Sequence, residues 1–106
     1  MTRQLLVLVT TSSKDEAATI ADALVSERLA ACVNIVSAIE SVYRWEGKVV
    51  REPEALMVIK TTHERYADLE RRVKELHSYS TPEVIAMKIE QGSAEYLSWL
   101  SESVSK

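Results

Sequence analysis

A chain of 106 residues, 46% of them hydrophobic, is long enough for one domain around a single core. Sixteen acidic against thirteen basic residues give a net charge of −3, and the one basic cluster, Arg71-Arg72 with Lys74, fits a solvated helix face, so nucleic-acid binding is not expected. Two Gly, two Pro and a single Cys argue against linkers, low-complexity tracts and an intrachain disulfide framework, and a lone thiol fits a reducing, cytoplasmic setting.

The first apolar run, Leu5-Leu6-Val7-Leu8-Val9, is too short for a signal-peptide core or a membrane span, and reads as a buried strand over residues 4–11. Ser12 or Ser13 then offers a helix N-cap, with Asp15 and Glu16 where the helix dipole favours negative charge. Ala17, Ile20, Ala21, Leu24, Val25 and Leu29 follow at spacings of three and four, so the stripe predicts a helix from Ser13 to Leu29.

From Ala31 to His63 the chain reads as two strands of about 14 residues folded back at Glu46-Gly47-Lys48, each about 45 Å long. A compact domain of this size is only about 30 to 35 Å across, so the hairpin should overhang its own body. A two-stranded ribbon bearing Tyr43, Trp45, Val49 and Val50 is marginal alone in water, and a second copy of the chain is the economical cover. Strict alternation would put Val33, Ile35, Ile39, Tyr43 and Trp45 on one face and Cys32, Asn34, Val36 and Val42 on the other. Pro53 cannot donate to a ladder and predicts a bulge or an edge.

A second helix is predicted from Thr62 or His63 to about His77, with Tyr66, Leu69, Val73 and Leu76 as its buried stripe. Glu83 to Ile89 reads as a fourth strand. Ser93 can cap a last helix whose apolar side is Tyr96, Leu97, Trp99, Leu100 and Val104. The order βαββαβ with an extra C-terminal helix predicts an α+β, ferredoxin-like antiparallel sheet with helices on one face. Its other face then needs a cover, which self-association would supply.

Cys32, His63 and His77 are the only thiol and imidazole ligands, and none pairs at a close metal-binding spacing, so any such site must be assembled in three dimensions. Cys32 reads first as a small buried strand residue and His63 as a helix-start surface residue. His77, beside Tyr79 and Pro82, is harder to dismiss as mere surface. No nucleophile elbow occurs, the Thr10-to-Lys14 loop lacks the glycine of a phosphate cradle, and no carboxylates form an obvious acid–base pair, so a non-enzymatic role is expected. Glu52, Glu54 and Lys60 share a parity that strand charge pairing explains, and Tyr43 with Trp45 reads as an interface cluster or the wall of a pocket.

Five blocks carry a family likeness in order along the whole chain. They are Ala30-Ala31-Cys32-Val33-Asn34-Ile35, Ser41-x-Tyr43-x-Trp45-x-Gly47-Lys48, Glu54 to Thr61, His77-x-Tyr79-x-x-Pro82-Glu83, and Gly92 with Tyr96-Leu97-x-Trp99. The chain resembles the CutA family of divalent-ion tolerance proteins. That resemblance implies a ferredoxin-like homotrimer held through long strands, tolerance of copper and other divalent cations, and ligand clefts between subunits. Carried over, the cleft residues are Tyr43, Trp45, Glu54, Lys60, Tyr79 and Glu83, with Cys32 and His77 as the metal ligands. The chain departs from the family pattern at Ser78, where proline is usual, and at Ser80, often acidic. It also carries Val9 and Leu76 where some members have a cysteine and a second histidine. The rival expectations are a sensor of an anionic small molecule, received by Lys60 and the loop near His77, and a trimeric scaffold.

Overall fold

The computed structural model describes residues 3–105, which form four strands and three helices. In chain order these are β1 (Gln4–Thr11), α1 (Lys14–Ser26), β2 (Cys32–Trp45), β3 (Lys48–Thr62), α2 (His63–Leu76), β4 (Val84–Lys88) and α3 (Ala94–Ser103). The strands pair antiparallel throughout in the order β2-β3-β1-β4, the ferredoxin-like arrangement expected from the element order.

One face of the sheet carries the main core. Leu5, Val7 and Val9 of β1 alternate inward beside Ala55, Met57 and Ile59 of β3, and Ile20, Leu24, Leu69 and Val73 of α1 and α2 close over them. A smaller cluster of Ala31, Leu100 and Val104 holds α3, with Gln4 Nε2 donating to Ser101 Oγ and Arg65 Nε to the Val104 carbonyl. Helix α3 thereby covers one end of the opposite face and leaves the rest bare.

Helix α1 stops at Ser26, three residues before the predicted end. Arg28 takes a left-handed conformation with φ 61°, and the amides of Leu29 and Ala30 both return to the Leu24 carbonyl. Leu29 stays buried because the turn folds it back onto the core, which is why its spacing imitated a continuing helix.

The long hairpin turns on two residues, Glu46 (φ 49°) and Gly47 (φ 79°), both left-handed as a type I′ turn requires. Gly47→Ala is expected to cost about 1 kcal/mol in chemical denaturation, because a Cβ strains this backbone although nothing lies near enough to clash with it. An unchanged midpoint would show that the turn tolerates a side chain.

A bulge changes the reading of the hairpin's faces. The register runs Val36↔Leu56 and then Ile39↔Glu54, so β2 carries one extra residue opposite Ala55, close to Pro53 but on the partner strand. Beyond the bulge the odd positions of β2 lie with the even positions before it. Ile39, Ser41, Tyr43 and Trp45 therefore share a face with Cys32, Asn34 and Val36, and not with Val33 and Ile35 as strict alternation predicted. Pro53 pairs with Glu40 where β3 has already run past Thr11, the end of β1, so its other edge is open.

The hairpin extends beyond the body of the domain. The principal extents are 44 × 25 × 22 Å and the radius of gyration is 14.3 Å, against about 13 Å for a compact chain of this length. The ribbon leaves Val42, Trp45 and Val49 more than half exposed.

Candidate functional site

Where the ribbon departs from the sheet, the loop between α2 and β4 leans against it and encloses a cleft of about 640 Å³. The ribbon contributes Ser41, Tyr43, Trp45, Glu52 and Glu54, and the loop contributes Tyr79, Ser80, Thr81 and Glu83. The bulge is what aims Tyr43 and Trp45 to the same side as Glu52 and Glu54.

Two phenols engage the carboxylates. Tyr79 Oη donates to Glu54 Oε2 at 2.8 Å, and its pKa is raised well above the usual phenol value by burial, by that hydrogen bond and by the charges of Glu54, Glu52 and Glu16. Tyr43 is raised in the same direction, first by a hydrogen bond to Glu52, then by slight burial and the nearby charges of Glu52 and Glu54. Both phenols thus stay protonated at neutral pH, and Tyr79 donates to Glu54.

His77 sits behind the cleft, not in it. Its ring is buried, Nε2 donates to the Thr10 carbonyl at 2.7 Å, and Nδ1 accepts from the Tyr79 amide at 3.1 Å. Both ring nitrogens are therefore committed in the neutral tautomer, and the ring packs tilted against Tyr79 with centroids 4.8 Å apart. Its role in one chain is to shape the loop that carries Tyr79.

Glu16 completes that support, and sequence reasoning gave it only a helix-dipole role. Its carboxylate accepts from the Ser78 amide at 2.7 Å and from the Ser12 amide and hydroxyl at 3.1 and 2.9 Å. Burial works against the charge, yet the hydrogen bonds from Ser78 and Ser12 outweigh it and hold the carboxyl down to about 2. The capping-box pattern Ser13-x-x-Glu16 was the available signal: Ser13 Oγ does accept from the Glu16 amide at 3.1 Å. The bond to Ser78, 62 residues away, leaves no local trace.

Cys32 and Lys60 lie at the other end of the sheet. They pair with each other across β2 and β3, level with Leu6, while His77 meets Thr10, a separation of about 13 Å along the strand. Lys60 Nζ bonds Asn34 Oδ1 and approaches Cys32 Sγ at 3.9 Å. Tyr96 of α3 joins this group, its phenol raised by burial and by Cys32. The eight residues named from sequence thus divide: Tyr43, Trp45, Glu54, Tyr79 and Glu83 line the cleft, His77 supports it, and Cys32 and Lys60 stand apart. Within one chain Cys32 and His77 do not converge on a common ion. Among the described residues, no three His, Cys, Asp or Glu side chains come together as a metal-holding group.

The family model described as "CutA1 divalent ion tolerance protein" matches residues 5–103. The chain belongs to this family. The Divalent-cation tolerance protein CutA of Thermus thermophilus is 52% identical over 98 residues, covering 92% of this chain and 95% of that protein. Its solved structure superposes with a TM-score of 0.94 at 50% identity, covering 96% of this chain and 99% of that one. The CutA1 structure from Oryza sativa gives 0.95 at 45% identity, covering 98% and 95%. The chain spans little more than half of the rice relative named as the chloroplastic Protein CutA 1, covering 56% of it at 48% identity.

Proposed function

We propose that this CutA-family chain works as a homotrimer that binds divalent cations, copper among them, in clefts completed by a neighbouring subunit, and that its role is binding and not catalysis. One observation carries the reading: beyond the end that α3 covers, the sheet face opposite α1 and α2 is apolar and uncovered. Leu6, Leu8, Leu56 and Val58 run across its middle, with Val36, Ile85 and Met87, each about half exposed, beside them. This face continues into the overhanging ribbon, so one contact would cover both. The printed names of the relatives supply the link to divalent-cation tolerance.

The cleft supports the cation over the anion. Three carboxylates, Glu52, Glu54 and Glu83, line it without any Lys or Arg. Lys60, the residue an anion sensor needs, is held at the far end by Asn34. Since one chain brings together no complete ligand set, the reading requires donors from a second copy or from water. Affinity for a given set of ligands rises along the divalent series to Cu(II), so Cu(II) is expected to bind more tightly than Zn(II). A cytoplasmic location belongs to the same proposal and rests on the free thiol; relatives named chloroplastic and periplasmic show that the compartment varies in the family.

Calorimetric titration with Cu(II) and Zn(II), run beside light scattering, tests both halves. The parent chain should bind, and Glu52→Gln with Glu54→Gln should weaken Cu(II) about tenfold. A monomer, or equal binding by parent and variant, would overturn the corresponding half.

A further inference from the structure

We propose that each cleft is closed by the hairpin tip of a second copy of this chain, whose Arg44 enters it and pairs with the cleft carboxylates, Glu52 first. The inference rests on the trimer reading and names what the neighbouring subunit contributes to the site.

Closure is the first argument. Three copies around one axis meet head to tail, so each must present two different surfaces. The bare sheet face with its cleft is one. The register pairs Arg44 with Val49 on the side of the ribbon turned away from Tyr43, Trp45 and Glu52. Val49 is 69% exposed, more than any other large hydrophobic side chain among the described residues, and so marks the second surface.

Charge is the second. Arg51, on the same side as Arg44, is held by Glu40 at 3.1 Å, whereas Arg44 makes no ion pair with any described residue. The cleft holds Glu52, Glu54 and Glu83 and no Lys or Arg. Arg44 and Glu52 leave opposite faces of one ribbon, so the pairing runs between copies. Glu54 is half buried and already accepts from Tyr79, which leaves exposed Glu52 as the first partner. A guanidinium also stacks on aromatic faces, and Tyr43, Trp45 and Tyr79 line the same cleft.

Charge balance agrees with the proposed cation. Three carboxylates around one divalent ion leave one negative charge over, and one guanidinium cancels it. Reach agrees as well. From Glu54 to Lys48, β3 runs on past the end of β1 for about 20 Å. The two shorter extents of the molecule are 25 and 22 Å, so the tip spans nearly the width of a neighbour.

Arg44→Glu, Glu52→Arg and the two changes together in one chain form the test, read by sedimentation over a dilution series. The parent should be a trimer. Each single change should raise the concentration of half dissociation about tenfold or more, and the double should recover most of the loss, because it exchanges the charges across every contact. Lys14→Glu, at the start of α1, should assemble like the parent. All three positions are exposed in the folded chain, and circular dichroism checks that each variant folds. In trimers mixed from isotopically light and heavy Arg44→Lys chains, carbodiimide coupling should join position 44 of one chain to Glu52, Glu54 or Glu83 of the other isotope. Additive losses, normal assembly of Arg44→Glu, equal loss in Lys14→Glu, or coupled peptides of a single isotope overturn this inference while the parent remains a trimer. A monomeric parent overturns the trimer reading on which it rests.

Discussion

The Val58→Asp variant is expected to sediment as a monomer, where the parent chain should sediment at three times its 11.9 kDa mass. Val58 lies half buried in the middle of the uncovered face, level with Leu8 on one side and Asn34 on the other. In a free monomer its new carboxylate would still reach water. Under a second copy it would be buried among Leu8, Leu56 and Ile85 with no positive partner, at a cost of several kcal/mol for each interface. Symmetry repeats that cost at every contact, so assembly should fail before folding does. Far-UV circular dichroism should keep the parent spectrum, and Val58→Ala should stay assembled. A Val58→Asp protein that still sediments as a trimer would place the interface elsewhere.

Glu16→Ala is expected to lose about 2 kcal/mol of stability at pH 7, because it removes a charged acceptor shared by Ser12 and Ser78. The pH dependence has a definite sign. The folded carboxyl titrates near 2 against an ordinary value of 4.5, so its contribution is fully present above about 4.5 and is lost as the pH falls towards 2. Urea unfolding of the parent should weaken over that window. Glu16→Gln should lack this part of the acid loss, with both proteins compared at one concentration because assembly couples to stability. The same change should loosen the 77–79 loop, since Ser78 loses its anchor beside His77. Parallel acid profiles for parent and Glu16→Gln would remove Glu16 from this role.

Most of the fold was legible because it is written in local periods. The stripe of Ala17, Ile20, Ala21 and Leu24 marks α1, the apolar runs mark β1 and β3, and Glu46-Gly47 marks the hairpin turn. Each of these depends on neighbours a few residues apart, which side-chain direction along a helix or strand controls. The overhang of the hairpin also followed from strand length alone, and the 44 Å long axis agrees with it.

The faces of the ribbon were not legible, since a bulge of one residue between Val36 and Ile39 inverts the parity of everything beyond it. Alternation cannot reveal where it has been broken, because Val36, Ser37, Ala38 and Ile39 read as strand on either side.

By itself the sequence determined the order of elements, the turn, the core stripes and, through five ordered blocks, the resemblance to the CutA family. Tertiary structure alone decided that Tyr43 and Trp45 join Glu52 and Glu54 on one side, that His77 is occupied by Thr10 and Tyr79, and that Glu16 reaches Ser78. It alone separated Cys32 and Lys60 from the cleft. The physical reason is that periodicity encodes which way a side chain points within its own element. Which elements then meet depends on sheet register and on hydrogen bonds between distant segments, and a single inserted residue can redirect both.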